Sequence, residues 1–421
     1  MPRDGAAWRS SLIIGALFLA AAMTFSLRFG WIGNVRGGWA VTTDNWMTFD
    51  GGRYVWNGAL GYVYSGTTSY ALPLSFILMA PIAGLADHLG LTEGVPLSLP
   101  HPTAWLLVGP YTLAFGVFLL HAVRRLAWDL QIRSRLWLVQ LAAVAVVLVP
   151  AFQWGHFEDV LALTAVIHAL RRWIGGDLVR AALYISVAIS FKQWAVMLLP
   201  FALAAAPRGR RLRTLVAAVA LPAVFTAYVL GVDWSHASRA LFDPASQVSG
   251  YEGHGAFFTT WFGRRTAAAT RGAGTVLAAF LGWRLRHLRT GAQILAAAAL
   301  ILTIRPLFEP VNFPYYWSPG LLLAGLARLA GSRGHRSRVW LAPVAAVAWG
   351  LPRGNPATAY WWWSGMLLLL AVAAVPLMPA PGGGSFRLGY LLRLRVKTPA
   401  TEPILHPMTT AAALGESSWT R

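Results

Sequence analysis

Arginines and acids alternate between the apolar stretches of this chain, and that alternation constrains everything else about it. Apolar runs of roughly membrane-spanning length fill most of its 421 residues. Arg124, Arg125, Arg133 and Arg135 fall in one gap between such runs, Arg208, Arg210, Arg211 and Arg213 in another, and Arg284, Arg286 and Arg289 in a third. The acids fall mostly in the intervening gaps. Short loops rich in Lys and Arg stay on the cytoplasmic side of a membrane, so the pattern predicts a topology as well as a fold class. Charged residues make up 12% of the chain, against about 25% in soluble domains, which implies that lipid surrounds most of it. The net charge of +20 lies largely in those loops. It is therefore assigned to membrane orientation and not to nucleic acid. Cysteine is absent, which removes disulfides, thiolate nucleophiles and thiolate metal sites.

A transmembrane helix needs about 17–25 mostly apolar residues. Helices are predicted near 11–27, 103–123, 136–152, 157–172, 178–191, 194–207, 214–232, 271–284, 291–304, 316–330, 338–352 and 361–379. The first is too long for a signal-peptide core and lacks a small-x-small cleavage site, so it reads as an uncleaved span with a cytoplasmic N-terminus. The stretch 70–87 is apolar but short, and Pro73 and Pro81 interrupt it. Counting it as a span would put every arginine cluster outside, so it is read as a re-entrant or interfacial helix on the outer face. The expectation is an all-α polytopic membrane protein with about twelve transmembrane helices and both termini cytoplasmic. Residues 1–379 form the membrane domain. Residues 380–421 form a basic, partly disordered tail on anionic lipid. Three segments face outward: 28–102, 233–271 and the short turn 305–316.

Most residues capable of chemistry fall on that outer face. The first segment carries Asp44 and Asp50 among Trp46, Tyr54, Trp56, Tyr62 and Tyr64. Trp and Tyr suit the membrane–water boundary, and a partly desolvated carboxylate there has a raised pKa and can act as general base toward a hydroxyl. Solvated loop acids or helix caps are the plainer alternative. The turn containing His156, Glu158 and Asp159 can bind a divalent cation, hydrogen-bond substrate hydroxyls or cap a helix. Lys192 sits between two apolar runs with no charge near it in sequence. An ionisable group there is costly unless paired or functional, so it either holds an anion such as a lipid phosphate or snorkels to the surface. Arg305, Glu309, Tyr315 and Tyr316 crowd one turn; Arg305 is a bidentate phosphate partner or a structural partner of Glu309. Asp233, Asp243, Glu252 and His254 mark the second long segment as a lid or acceptor-binding element. The chain has no phosphate-binding Gly-rich loop and no zincin helix.

The order of these features resembles the GT-C type glycosyltransferases that use polyprenyl-phosphate sugars, in the branch with α-mannosyl- and arabinofuranosyltransferases. In that branch an acid opens the first outer loop, followed by an aromatic-rich helix, a Gly and a Tyr; Asp44, Gly58 and Tyr64 keep that order. Where the family has Tyr-Pro-Pro, this chain has Ala71-Leu72-Pro73, and Ala80-Pro81 matches the Ala-Pro that follows. A family Lys-Pro is matched by Lys192-Gln193, with Gln in place of Pro, and Tyr315 to Pro319 resembles the late aromatic turn. The resemblance implies an enzyme of the cell membrane with its active site outside. It would move mannose or arabinofuranose from a polyprenyl-phosphate donor to a hydroxyl of a glycolipid or polysaccharide, with inversion. Asp44 would be the base, with Asp50 second. Lys192 and Arg305 would hold the donor phosphate, and His156, Glu158, Asp159, Glu309, Tyr315 and Tyr316 would orient sugar or acceptor. A divalent cation is an option and not a requirement. The alternatives are a transporter or flippase for a lipid-linked or small polar substrate, or a non-catalytic relative. A transporter predicts ionisable groups in mid-span, and here only His168 fits that description.

Overall fold

The computed structural model describes residues 9, 11–17, 20, 43–67, 69–91, 103–132, 136–148, 151–152, 155–242, 267–308 and 314–331. These all belong to one unit, Met1–Leu377. The described residues are helical and contain no strand. The expected spans 338–352 and 361–379, the tail, most of 11–27 and most of 233–271 lie outside them.

Each apolar run expected between 103 and 330 is a helix. The helices are α1 Thr43–Trp56, α2 Pro73–His88, α3 Trp105–Asp129, α4 Leu136–Ala143, α5 Phe157–Ile174 and α6 Leu178–Phe191, followed by α7 Leu199–Ala205, α8 Arg211–Val232, α9 Trp234–Phe242, α10 Ala267–Leu285, α11 Gly291–Phe308 and α12 Ser318–Gly331. A π-helical turn over Val144–Leu148 extends α4, and a 3-10 stretch over Gln193–Leu198 leads into α7. Three stretches are long and apolar enough to cross a membrane: Trp105–Asp129, Arg208–Val232 and Gly291–Phe308. On α8, Leu212, Val216, Val224 and Tyr228 are exposed, and on α10 Val276, Phe280 and Trp283 are too. So large an apolar surface is stable against lipid and not against water. α5, in contrast, buries Val160, Leu163, Val166, Ile167 and Leu170 at helical spacing and forms the middle of the core.

Contacts at both ends of the bundle fix the directions of α5, α6, α7, α11 and α12. Trp173, at the end of α5, packs on Phe201 of α7 at 4.5 Å. At the other end, the start of α5 meets Lys192 and Trp194. Thus α6 runs antiparallel to α5, the chain reverses at Lys192, and Gln193–Ala205 returns alongside α5. Gly291 lies against Leu130 and Ile174, and Gly331 against Ala292. Tyr315 lies against His156. So α11 runs toward the Lys192 end and α12 runs back. The arginine groups at 124–125, 171–172, 208–213 and 284–289, with Arg328, lie toward one end, where Asp129 and Asp177 also sit. Asp44, Glu158, Asp159 and Asp233 lie toward the other, with Lys192. Most of the arginines in the described loops thus share one end of the bundle.

The described residues of the segment 28–102 are largely helical. The two helices α1 and α2 run parallel, with Gly52 of α1 so close to Met79 and Ala80 that an added Cβ would lie 3.0 Å from backbone. α1 ends at Gly58, which adopts φ +76; Gly58 N–H donates to Val55 O and Ala59 N–H to Tyr54 O. This is a left-handed closure that glycine supplies without steric cost. Tyr64 is buried and donates to Ala71 O at 2.8 Å. The stretch 70–87 is α2, 16 residues long with Pro73 in its first turn, where a missing N–H costs nothing. It is shorter than the three membrane-length helices.

Candidate functional site

Four separate elements bring side chains together at the acidic end. The turn before α5 uses Gly155 at φ +77, and His156 N–H donates to Ala151 O at 2.8 Å, which sets the direction of the next residues. His156 precedes α5 without capping it through its side chain. Glu158 and Asp159 occupy the first turn of α5, where the helix dipole favours negative charge. Lys192 is the single extended residue (φ −146, ψ 127) between α6 and the following 3-10 stretch, and this break aims its side chain across the hairpin to α5. Asp44 comes from the first turn of α1, and Tyr315 from the 3-10 turn before α12.

The contacts form a chain. His156 Nε2 donates to Asp44 Oδ2 at 3.0 Å, and Nδ1 lies 3.1 Å from Glu158 Oε1. Lys192 Nζ lies 2.8 Å from Glu158 Oε1 and 3.3 Å from Asp159 Oδ2. The Trp194 indole donates to Asp159 Oδ1 at 2.7 Å. Tyr315 lies tilted against His156 with ring centroids 4.1 Å apart, and Tyr316 meets Tyr315 edge-on at 4.7 Å. Glu158 and Asp159 are buried, whereas the Asp44 side chain is 47% exposed. The arrangement therefore presents one accessible carboxylate backed by an imidazole and two buried acids.

Charge states follow from these contacts. Burial and the Lys192 charge both favour a neutral His156 ring. The hydrogen bonds to Asp44 and Glu158, with the charge of Asp44, outweigh them and lift its pKa to about 9. At neutral pH both ring nitrogens then carry protons, and Nδ1–H points to Glu158. Burial also opposes the charge of Lys192, but Asp159 and Glu158 outweigh it and raise its pKa above the ordinary lysine value. Burial holds the Tyr315 hydroxyl neutral by raising its pKa well above normal.

The sequence-predicted residues divide three ways. Asp44, His156, Glu158, Asp159, Lys192, Tyr315 and Tyr316 come together. Asp50 does not join them: it sits with Arg53 and Asp87, which form an ion pair at 2.6 Å between α1 and α2. Burial raises the Asp50 pKa against the lowering effect of Arg53, and Asp87 adds to the rise. Glu309 lies outside the described residues, and Arg305 is described as part of α11 by its backbone alone. Asp233 is structural: its carboxylate accepts from His236 N–H at 3.3 Å and from the His236 ring at 2.9 Å at the start of α9. Sequence reasoning did not single out Trp194; its place directly after Lys192-Gln193 was the available signal. His156, Glu158 and Asp159 offer ligand atoms within 4.8 Å of one another, a spacing compatible with a divalent cation.

An apolar cavity of about 240 Å³ is lined by Leu72, Ile189, Val196, Pro222, Phe225 and Phe242 with Ser190, Gln193 and Thr226 at its polar side; Gln193 follows Lys192 in the chain, but no residue of the cluster lines the cavity. Compared with protein-family models, with curated proteins and with solved structures, the chain matches none.

Proposed function

We propose that this chain is an integral membrane glycosyltransferase that moves a sugar, mannose or arabinofuranose, from a polyprenyl-phosphate donor to an acceptor hydroxyl at the outer face. The observation that carries the reading is the junction of Asp44 with His156: an exposed carboxylate held by an imidazole at the acidic end of an apolar helical bundle. In the reaction, the acceptor hydroxyl proton passes to Asp44. The acceptor oxygen forms a bond to the anomeric carbon, and the bond from that carbon to the phosphate oxygen breaks, the phosphate keeping the electron pair. Phosphate is already a good leaving group, so no protein acid is required. A single displacement inverts the anomeric centre. His156 keeps Asp44 oriented, with one oxygen committed to the ring and the other left for the hydroxyl. Tyr316, which is only partly buried, supplies an aromatic face for a sugar ring, whereas Tyr315 is buried against His156 and holds that ring in place. Lys192 is already paired with two carboxylates, which favours Arg305 as the residue that holds the donor phosphate. The apolar cavity offers a wall for a polyprenyl chain. With basic loops inside, this end faces outward and both termini are cytoplasmic.

The test is sugar transfer from radiolabelled polyprenyl-phosphate mannose or arabinose in membranes carrying wild type, Asp44→Asn or Asp50→Asn. Asn at 44 keeps an oxygen for His156 but cannot take a proton. Transfer should drop by about 10²–10⁴-fold with Asp44→Asn and survive in Asp50→Asn. Loss with Asp50→Asn alone would move the base to the second acid. Activity untouched by both would remove α1 from the chemistry.

A further inference from the structure

Lys192 is bound in an unusual way. Its Nζ lies 2.8 Å from Glu158 Oε1, 3.3 Å from Asp159 Oδ2 and 3.3 Å from His156 Nδ1. Glu158 and Asp159 bring carboxylate oxygens to Nζ, and the protonated His156 ring lies beside it as a third residue, of a type that ligates a divalent cation once its Nδ1 proton is given up. Their ligand atoms lie within 4.8 Å of one another, so a modest contraction would bring all three to the roughly 2.0–2.6 Å of a metal–ligand bond. A second observation also points to a ligand. Glu158 Oε2 is buried, on a side chain 4% exposed, and accepts no hydrogen bond among the described residues. A buried carboxylate oxygen without a partner costs free energy, and it is spare coordinating capacity on a residue of the cluster. The second oxygen of Asp159, Oδ2, has its ion pair with Nζ and no hydrogen bond.

We propose that His156, Glu158 and Asp159 form a divalent-cation cage whose cation is the chain's own: the Lys192 ammonium sits where the metal would sit. The residue types and the convergence belong to a metal site, and the tethered ammonium supplies the positive charge that an ion would otherwise bring. Asp44, Glu158 and Asp159 are then balanced in part by Lys192 and His156. Removing the ammonium leaves Asp159 without its ion-pair partner and Glu158 with the His156 ring alone, and a divalent ion that takes the place of Nζ and of the Nδ1 proton is the small ligand that restores the charge. The assignment predicts that wild type is indifferent to divalent ions at this site and that a single substitution turns it into a metalloprotein.

The experiment uses the full chain in lipid nanodiscs and Mn²⁺ alone as the probe, read by electron paramagnetic resonance and by melting temperature. Wild type, Lys192→Met and Lys192→Met/Glu158→Gln are compared. Lys192→Met should bind one Mn²⁺ at least about tenfold more tightly than wild type, a change of roughly 1.4 kcal/mol or more, and should melt higher with Mn²⁺ than without. The double variant should return to wild-type behaviour. Equal affinity in wild type and Lys192→Met would overturn the proposal, as would a folded Lys192→Met that binds no Mn²⁺. Recovery of folded Lys192→Met only when Mn²⁺ is present would support it. If Lys192→Met folds in neither buffer, wild type against Glu158→Gln decides. A Glu158-dependent Mn²⁺ site in wild type overturns the proposal, and its absence supports it. No sugar transfer enters these readouts, so the assignment stands or falls apart from the transferase reading.

Discussion

Asp44 and Asp50 lie on the same helix, yet they belong to different chemistry. An α-helix turns about 100° per residue, so the two carboxylates leave α1 on different faces. Asp44 meets His156, and through it Glu158, Lys192 and Asp159, a group drawn from distant parts of the chain. Asp50 meets Arg53 from its own helix and Asp87 from α2, its parallel neighbour. The first cluster is buried behind one exposed carboxylate; the second is half-exposed and closes a helix pair. Buried charges that depend on each other are costly to disturb, whereas half-exposed pairs are cheap. The difference separates a site from a clasp, and it is open to measurement.

The largest expected effect is Glu158→Gln. Its carboxylate is 2.8 Å from Lys192 and 3.1 Å from His156, with the side chain 4% exposed. Neutralising it leaves two cations, Lys192 at 20% and His156 at 12% side-chain exposure, short of their shared anion, and breaking a buried pair by removing one partner costs about 3–5 kcal/mol. Thermal unfolding in nanodiscs should show a large drop for Glu158→Gln and a small one for Asp50→Asn. Similar losses for both would erase the distinction between the two clusters.

A pH titration sharpens it further. His156 has its pKa raised to about 9 in the fold, above the roughly 6.5 of an unfolded histidine. A raised value means that the folded state binds the proton more tightly. The stability this group contributes is therefore complete below about 6.5 and is lost as pH rises through about 9. The melting temperature should fall across that window, because the imidazolium that joins Asp44 to Glu158 beside Lys192 is discharged. His156→Gln should flatten this part of the profile, and Asp87→Asn should leave it intact. An unchanged slope in His156→Gln would mean that another group carries the dependence.

How far the sequence discloses this arrangement depends on the kind of contact. The helix predicted at 178–191 is α6 to the residue, because Asp177 accepts from Arg180 N–H at its start and Lys192 breaks it at its end. The position of Lys192 at a hairpin turn is equally legible from the apolar runs on each side. Its partners are not. Lys192 has no charge nearby in sequence, and the His156 nitrogen it faces lies 36 residues away. Only the packing of α5 against α6 brings them together. The resemblance implies an aromatic-rich helix between Asp44 and Gly58, where α1 lies, but hydropathy alone does not show it. Its Asp44, Asn45, Thr48, Asp50 and Arg53 make no apolar run, although Trp46 and Phe49 bury themselves edge to face at 5.4 Å. Local charge and hydropathy dictate where helices start and stop, whereas convergence of side chains depends on which helices pack and in what register.

The smallest expected effect belongs to the clasp itself. Arg53 Nη2 and Nε reach Asp87 at 2.6 and 2.9 Å, a two-point pairing of good geometry. Both side chains are about one-third exposed, at 32% and 30%, so water and salt screen the pair. Exposed ion pairs contribute about 0.2–1 kcal/mol, and Asp87→Asn should cost no more than that. Asp50 gives the variant a second, more sensitive readout. The Asp87 charge adds to the rise in the Asp50 pKa, so removing it should bring that pKa down toward the ordinary carboxylate value. Arg53 would then have one carboxylate instead of two and would turn toward Asp50. A melting-temperature loss as large as that of Glu158→Gln would show that α1 and α2 are held by this pair and not by the close approach of Gly52 to Met79 and Ala80. In that case the clasp would also position Asp44, and the two clusters would be one system.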